Sequence, residues 1–237
     1  MIVKFSPKGD EPIARRWRDI LITEFHATQA IHAQNFPAAE TRLIEENGRL
    51  FLESQRFDRS GEYGRMPMIS LQYIDAEFSG EGHGWHRAMQ KLCELGLVSG
   101  QHGYDAMFLW AFGLLNNNTD MHLGNLSMSI DGGVFRILPV YDMCSMGFAP
   151  KVGDVRPYRF VPPDIHALDG LNRIKKSLPS VKAMARDFWD RVASDHRISS
   201  EFSSFLEQGN PIEPTRQPRS VTAFQSRTVQ TTPASGS

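Results

Sequence analysis

NNNTDMHLGNLSMSIDGGVFRILPVYDMCSMGFA, residues Asn116 to Ala149, is the stretch on which the reading of this chain turns. It opens on a polar cluster, Asn116 to Asp120, directly after an apolar helical run. Leu126 to Ile130 reads as a short strand, Asp131-Gly132-Gly133 as a tight turn, and Val134 to Val140 as the returning strand. Folding such a hairpin back sets the polar residues before its first strand beside those after its second. The pattern predicts that Asp120, Asn125 and Asp142 converge on one small volume.

That trio has a chemical logic. Asn125 and Asp142 offer the oxygen ligands that a hard cation such as Mg²⁺ takes, with phosphate oxygens and water completing the shell. Asp120, left free, is placed to accept a proton from a hydroxyl. A base Asp, an Asn five positions on, and a metal-binding Asp after a hairpin form the layout of phosphoryl transfer in protein kinases. Any one of these residues alone fits the plainer role of filling a turn. Three around one hairpin favour the chemical reading.

Working outward, 41% hydrophobic and 22% charged residues over 237 positions are ordinary for a globular protein. The length accommodates one large domain or two lobes sharing a cleft. A formal net charge of −1 gives no global basic field for nucleic acid or an anionic membrane. Cys93 and Cys144 lie in apolar surroundings without metal-type spacing, and read as buried thiols of a reducing compartment. No apolar run reaches the roughly 20 residues of a membrane span, and no signal peptide precedes the first strand. The expected location is the cytoplasm, with no membrane partner.

Along the chain, Ile2 to Phe5 is a β-type run with Lys4 inside it, either a solvated edge lysine or a ligand for nucleotide phosphates. Pro12 to about Ala33 reads as an amphipathic helix, with Asp19 and Glu24 as candidate partners for Lys4. Thr41 to Glu45 and Arg49 to Ser54 form a hairpin across Glu46-Asn47-Gly48. A charged linker, Gln55 to Arg59, and a Gly-rich loop follow. Helices are predicted over Trp85 to Leu97, Tyr104 to Leu115, from a Ser180 cap to about Ala193, and over Ile198 to Leu206. The second is apolar nearly all round and reads as buried. From Gln208 the composition turns to Pro, Thr, Ser and Gln, and 208–237 reads as a disordered tail.

With these segments in order, the chain resembles the HipA-like serine/threonine kinases of bacterial toxin–antitoxin systems, and within them the YjjJ-like branch. Ile2 to Pro7 resembles the strand of the ATP-binding lysine. Leu50 to Arg59, LFLESQRFDR, resembles the strand and hinge. Asn118 to Ser127, NTDMHLGNLS, resembles the catalytic loop, and Leu138 to Met143, LPVYDM, the metal-binding segment. The resemblance implies an α+β, two-lobed protein-kinase-like fold: an incomplete small β lobe and hinge over 1–58, and a mostly helical large lobe over 59–207. It implies Asp120 as catalytic base, Asn125 and Asp142 as Mg²⁺ ligands, and Lys4 on the ATP phosphates. Gln55 and Phe57 would present backbone groups to adenine, Asp58 would face the ribose, and His122 would lie beside the nucleotide. It further implies a protein substrate such as an aminoacyl-tRNA synthetase, and an antitoxin partner through which alone DNA is contacted.

One departure weighs on these expectations. The family carries an N-terminal portion with a glycine-rich loop over the phosphates, and here Met1 stands three residues before Lys4. The expectation is a truncated kinase, impaired alone or completed by a separate upstream polypeptide. Two other readings stand beside it: a pseudokinase-like binding module, and a small-molecule phosphotransferase or metal hydrolase using Asp120, His122 and Asp142.

Overall fold

The computed structural model describes residues 1–82, 84–151, 154–160 and 172–213. Its first unit is a three-stranded antiparallel sheet of order β1-β3-β2, from β1 (Ile2–Phe5), β2 (Thr41–Glu46) and β3 (Arg49–Ser54). β1 is an edge strand, as its internal lysine leads one to expect. Side chains alternate across β3, and Leu50 and Leu52 point inward, both 1% exposed. Beneath them runs α1 (Pro12–Ala33), with Pro12 in its first turn. Leu21 and Ile22 of α1 join Leu50 and Leu52 in a core of their own, flanked by Phe25 and Leu43. Leu52→Ala should lower stability by about 2–5 kcal/mol, because so covered a site collapses poorly round the void. Equilibrium urea unfolding measures it.

The second unit is helical. α2 (Leu71–Ile74) runs into a wide turn, Asp75–Ser79, and α3 (Trp85–Glu94) and α4 (Gly100–Leu115) follow. Ser99 accepts the His102 N–H at 3.2 Å and starts α4 four residues earlier than the apolar run suggests. α4 is buried along most of its length, as its uniform hydrophobicity predicts. α5 (Asn172–Ala193) continues straight through Pro179, so Ser180 is not its cap. The stripe Ile174, Val181, Met184, Ala185 and Phe188, each at most 1% exposed, outweighs the ladder bond that proline removes. α6 (Ser200–Leu206) is capped by Ser199, whose hydroxyl accepts the Phe202 N–H. Of the tail placed at 208–237, Pro211 is buried and Ile212 packs on the main core; 214–237 lie outside the described residues.

Small strands complete the α+β arrangement. β4 (Arg59–Ser60) pairs with β5 (Gly64–Arg65). β6 (Ile69–Ser70), β7 (Ser127–Asp131) and β8 (Val134–Ile137) form a second antiparallel sheet, in that order. β7 and β8 turn at Gly132-Gly133, where φ of 58° and 81° is backbone that glycine adopts without strain. Beyond β8, Val140 exchanges backbone hydrogen bonds with Pro37 and Ala39, at 3.1 and 2.9 Å. The residues just before Asp142 are thereby fastened to the connection between α1 and β2.

Candidate functional site

Strand register places Lys4. It lies opposite Leu52 across the β1–β3 ladder, and opposed residues project from the same face. Leu52 faces α1, so Lys4 does too. Its ammonium donates to both carboxylate oxygens of Glu24, at 2.7 and 2.8 Å, and to Asp142 Oδ1. Of the two carboxylates considered for it, Glu24 is the partner. Asp19 lies five residues earlier, about 140° round the helix, and accepts instead from Ser199 and Tyr158.

Burial works against the Lys4 ammonium, but Glu24 and Asp142 together outweigh it and raise its pKa. Glu24, 3% exposed, is pushed up by burial and by the neighbouring Asp142 carboxylate, against the pull of Lys4. Lys4 keeps its proton between the two carboxylates crowded on it. Cys144 has a ligand atom within 4.8 Å of those of Glu24 and Asp142. Burial raises its thiol pKa and disfavours the thiolate.

Asn116, Asn117 and Asn118 staple this region to the end of α4. Asn116 Nδ2 donates to Met143 O at 3.0 Å and its carbonyl accepts from Ser145 Oγ at 2.6 Å. Asn117 O accepts the Gly147 N–H at 2.9 Å. Asn118 Nδ2 donates to Asp142 O, while its Oδ1 accepts the Asp120 N–H, both at 3.0 Å. Asn125 Nδ2, at the end of a short turn, donates to Asp120 O at 2.8 Å. A chain of hydrogen bonds thus runs Asp142–Asn118–Asp120–Asn125. Asp142 itself has φ 57°, a left-handed backbone that a non-glycine residue keeps only where its surroundings hold it. Asn118 is the clamp that sequence reading left among turn-fillers. Asn118→Ala should cost about 1 kcal/mol by removing two part-buried hydrogen bonds from the buried Asn118 side chain, read as a drop in thermal midpoint.

The trio does not surround a single hollow. Lys4, Gln55, Phe57, Asp58 and Asp142 line a cavity of about 200 Å³ together with Glu24. Asp120 and His122 line a second, more open cavity of about 640 Å³. Asn118 spans the two through its bonds to Asp142 and Asp120. In the first cavity the Gln55 N–H is spent on Glu40 O at 2.8 Å, leaving the Gln55 carbonyl as an acceptor. The Asp58 carboxylate is held by Arg56 at 2.8 and 2.5 Å, which brings its pKa down to about 2. His122 Nδ1 accepts the Gly124 N–H at 3.0 Å and so serves its own turn. Asn125, with Nδ2 committed, keeps Oδ1 as a donor of electrons. Its amide oxygen and the Asp142 carboxylate are each the kind of ligand a hard cation takes, while Asn125 lines neither of the two cavities.

A small antiparallel sheet that aims a lysine at a helix carboxylate, above a helical body with polar loops round a hairpin, defines a kinase-like α+β fold. Two solved structures share it: the Helicobacter pylori proinflammatory kinase CtkA, at TM-score 0.56 and 12% identity over 90% of this chain and 85% of that one, and a chain from the Shewanella oneidensis MR-1 toxin–antitoxin complex of HipA, HipB and operator DNA, at TM-score 0.54 and 16% identity over 82% and 55%. The profile of the HipA-like C-terminal domain matches residues 1–201, and the chain belongs to that family. Toxin YjjJ of Escherichia coli K12 is 37% identical over 210 residues, which is 88% of this chain and 46% of that protein. The chain therefore spans about half the length of that relative.

Proposed function

We propose that this chain carries the catalytic portion of a HipA-like protein kinase, which transfers the γ-phosphate of ATP to a serine or threonine hydroxyl of a protein. The observation that carries the reading is the Lys4–Glu24–Asp142 cluster on the wall of one cavity, tied through Asn118 to Asp120 on the next. In this reading Gln55 and Phe57 present backbone groups to the adenine end of ATP at the first cavity, and Lys4 leaves Asp142 to meet the phosphates. Asp142 and Asn125 are the residues that would hold Mg²⁺, which supplies charge neutralisation of the phosphates when bound. Asp120 accepts the proton of the acceptor hydroxyl as its oxygen bonds to the γ-phosphorus. The bond from that phosphorus to the β,γ-bridging oxygen breaks, and ADP leaves with that oxygen.

The name of the YjjJ relative supports a toxin role, and the HipA–HipB complex of the Shewanella neighbour supports an antitoxin partner; a protein of the translation machinery is the substrate that the sequence resemblance implies. Among the described residues no helix is long and apolar enough to cross a membrane. The test is transfer of labelled phosphate from ATP by the 237-residue chain, with Mg²⁺ present and then chelated, alongside equilibrium binding of a fluorescent ATP analogue. Transfer that needs Mg²⁺ is expected. Nucleotide binding without transfer would favour the binding-module reading, and absence of both would remove the kinase reading.

A further inference from the structure

The open cavity beside Asp120 carries features that phosphoryl transfer itself does not use. Lys151 and Arg159 both line it, both are exposed, and neither has an ion-pair partner among the described residues. Asn117 lines it as well, 7% exposed and with φ 64°. Its side-chain Nδ2 is buried and has no hydrogen-bond partner among the described residues. The neighbouring Asn116 Oδ1 is unmatched as well among the described residues, and an unpaired buried donor on a cavity wall is one whose missing acceptor a ligand can supply. Gly147 makes room for that amide: a Cβ there would stand 2.6 Å from both Asn117 Oδ1 and Nδ2. Two cations without an ion-pair partner among the described residues and an unmatched donor thus line the cavity that Asp120 also lines, a combination that suits an anion.

The anion belongs on the acceptor side. Lys4 and Asp142 line the other cavity, which the proposed function assigns to the nucleotide. Asp120 repels an anion from its own vicinity, so the carboxylate that Lys151 and Arg159 attract must sit beside the reacting hydroxyl, not on it. We propose that this cavity selects acceptor polypeptides in which acidic side chains flank the phosphorylated serine or threonine, with Lys151, Arg159 and Asn117 as the specificity determinants. The inference rests on the kinase reading for the identity of the acceptor, though not for the anion site.

The experiment compares fluorescently labelled serine peptides that are identical except for flanking Glu, Gln or Lys. Their binding to the full chain is measured by anisotropy, which needs no turnover. Glu-flanked peptide should bind about 5–10-fold more tightly than Gln-flanked, the scale of two partly exposed ion pairs. High salt should shrink the difference. Lys151→Glu with Arg159→Glu should invert the order in favour of Lys-flanked peptide, a gain that a damaged fold does not produce. Equal binding of Glu and Gln peptides by the unmodified chain overturns the proposal, as does a reversed-charge variant that still prefers Glu. So does inorganic phosphate binding there without displacing any peptide, which would mark a small-anion site. The fluorescent ATP analogue is followed in parallel. Charge preference without nucleotide binding would remove the kinase reading and leave the anion site standing, and the converse would remove only the acceptor preference.

Discussion

On the proposed kinase reading, Asp120→Ala is expected to lower phosphoryl transfer by about 10²–10⁴-fold while nucleotide affinity stays within about twofold, the loss that follows removal of a general base. The loop round Asp120 is built so that this substitution is clean. Asp120 is held by its backbone, with the N–H on Asn118 Oδ1 and the carbonyl on Asn125 Nδ2. Among the described residues its carboxylate has no hydrogen-bond or ion-pair partner. Truncation at Cβ therefore leaves the clamps in place and removes only the proposed acceptor of the proton. Asp120→Asn keeps the shape without the basicity and should be as slow. Undiminished transfer by either variant would sink the assignment of the base, whatever else the chain does.

Lys4→Met lowers stability by about 2–3 kcal/mol at pH 8, and by clearly less at pH 5. Removing one partner of a buried ion pair leaves the other charge uncompensated, which costs about 3–5 kcal/mol when both are buried. Glu24 is buried, but the Lys4 side chain is 33% exposed, which places the effect at or below the lower end of that range. The pH dependence follows from Glu24. Burial already raises its pKa, and without Lys4 it rises further. The folded variant then keeps a proton that the unfolded chain releases near about pH 4.3. Its stability falls as pH climbs above that value. The unmodified chain shows the same Glu24 dependence in weaker form, because Lys4 pulls that raised pKa part of the way back. The raised Lys4 pKa contributes stability that is fully present below about pH 10.4 and is lost only above it. Lys4→Met combined with Glu24→Gln should recover most of the loss. Urea unfolding from pH 5 to 8 makes the measurement, and a single variant as stable as the parent throughout would show that the pair carries no weight.

Much of this was legible residue by residue. Turn chemistry located both hairpins, at Glu46-Asn47-Gly48 and Asp131-Gly132-Gly133, because two-residue loops of that kind demand glycine or asparagine. Helical period located α1 and the buried α4. The segments with weak local signals were the ones missed: β6, α2 and the wide turn after it are short and take their shape from the hairpin and α3 against which they lie. Pro179 misled the reading of α5, since a proline breaks a helix only where packing does not hold it.

The amino-acid order alone settled which residue types were available for phosphate, metal and proton chemistry, and that Asp120, Asn125 and Asp142 bracket one hairpin. Only the tertiary structure decided that Lys4 meets Glu24 and not Asp19, that Asp142 sits in left-handed backbone, and that Asp120 opens on a separate cavity joined through Asn118. The reason is separation along the chain. Lys4 stands 20 positions from Glu24 and 138 from Asp142, and no local pattern spans such distances. Strand register, the face of α1 and the clamps at the end of α4 must all be in place before those side chains share a site.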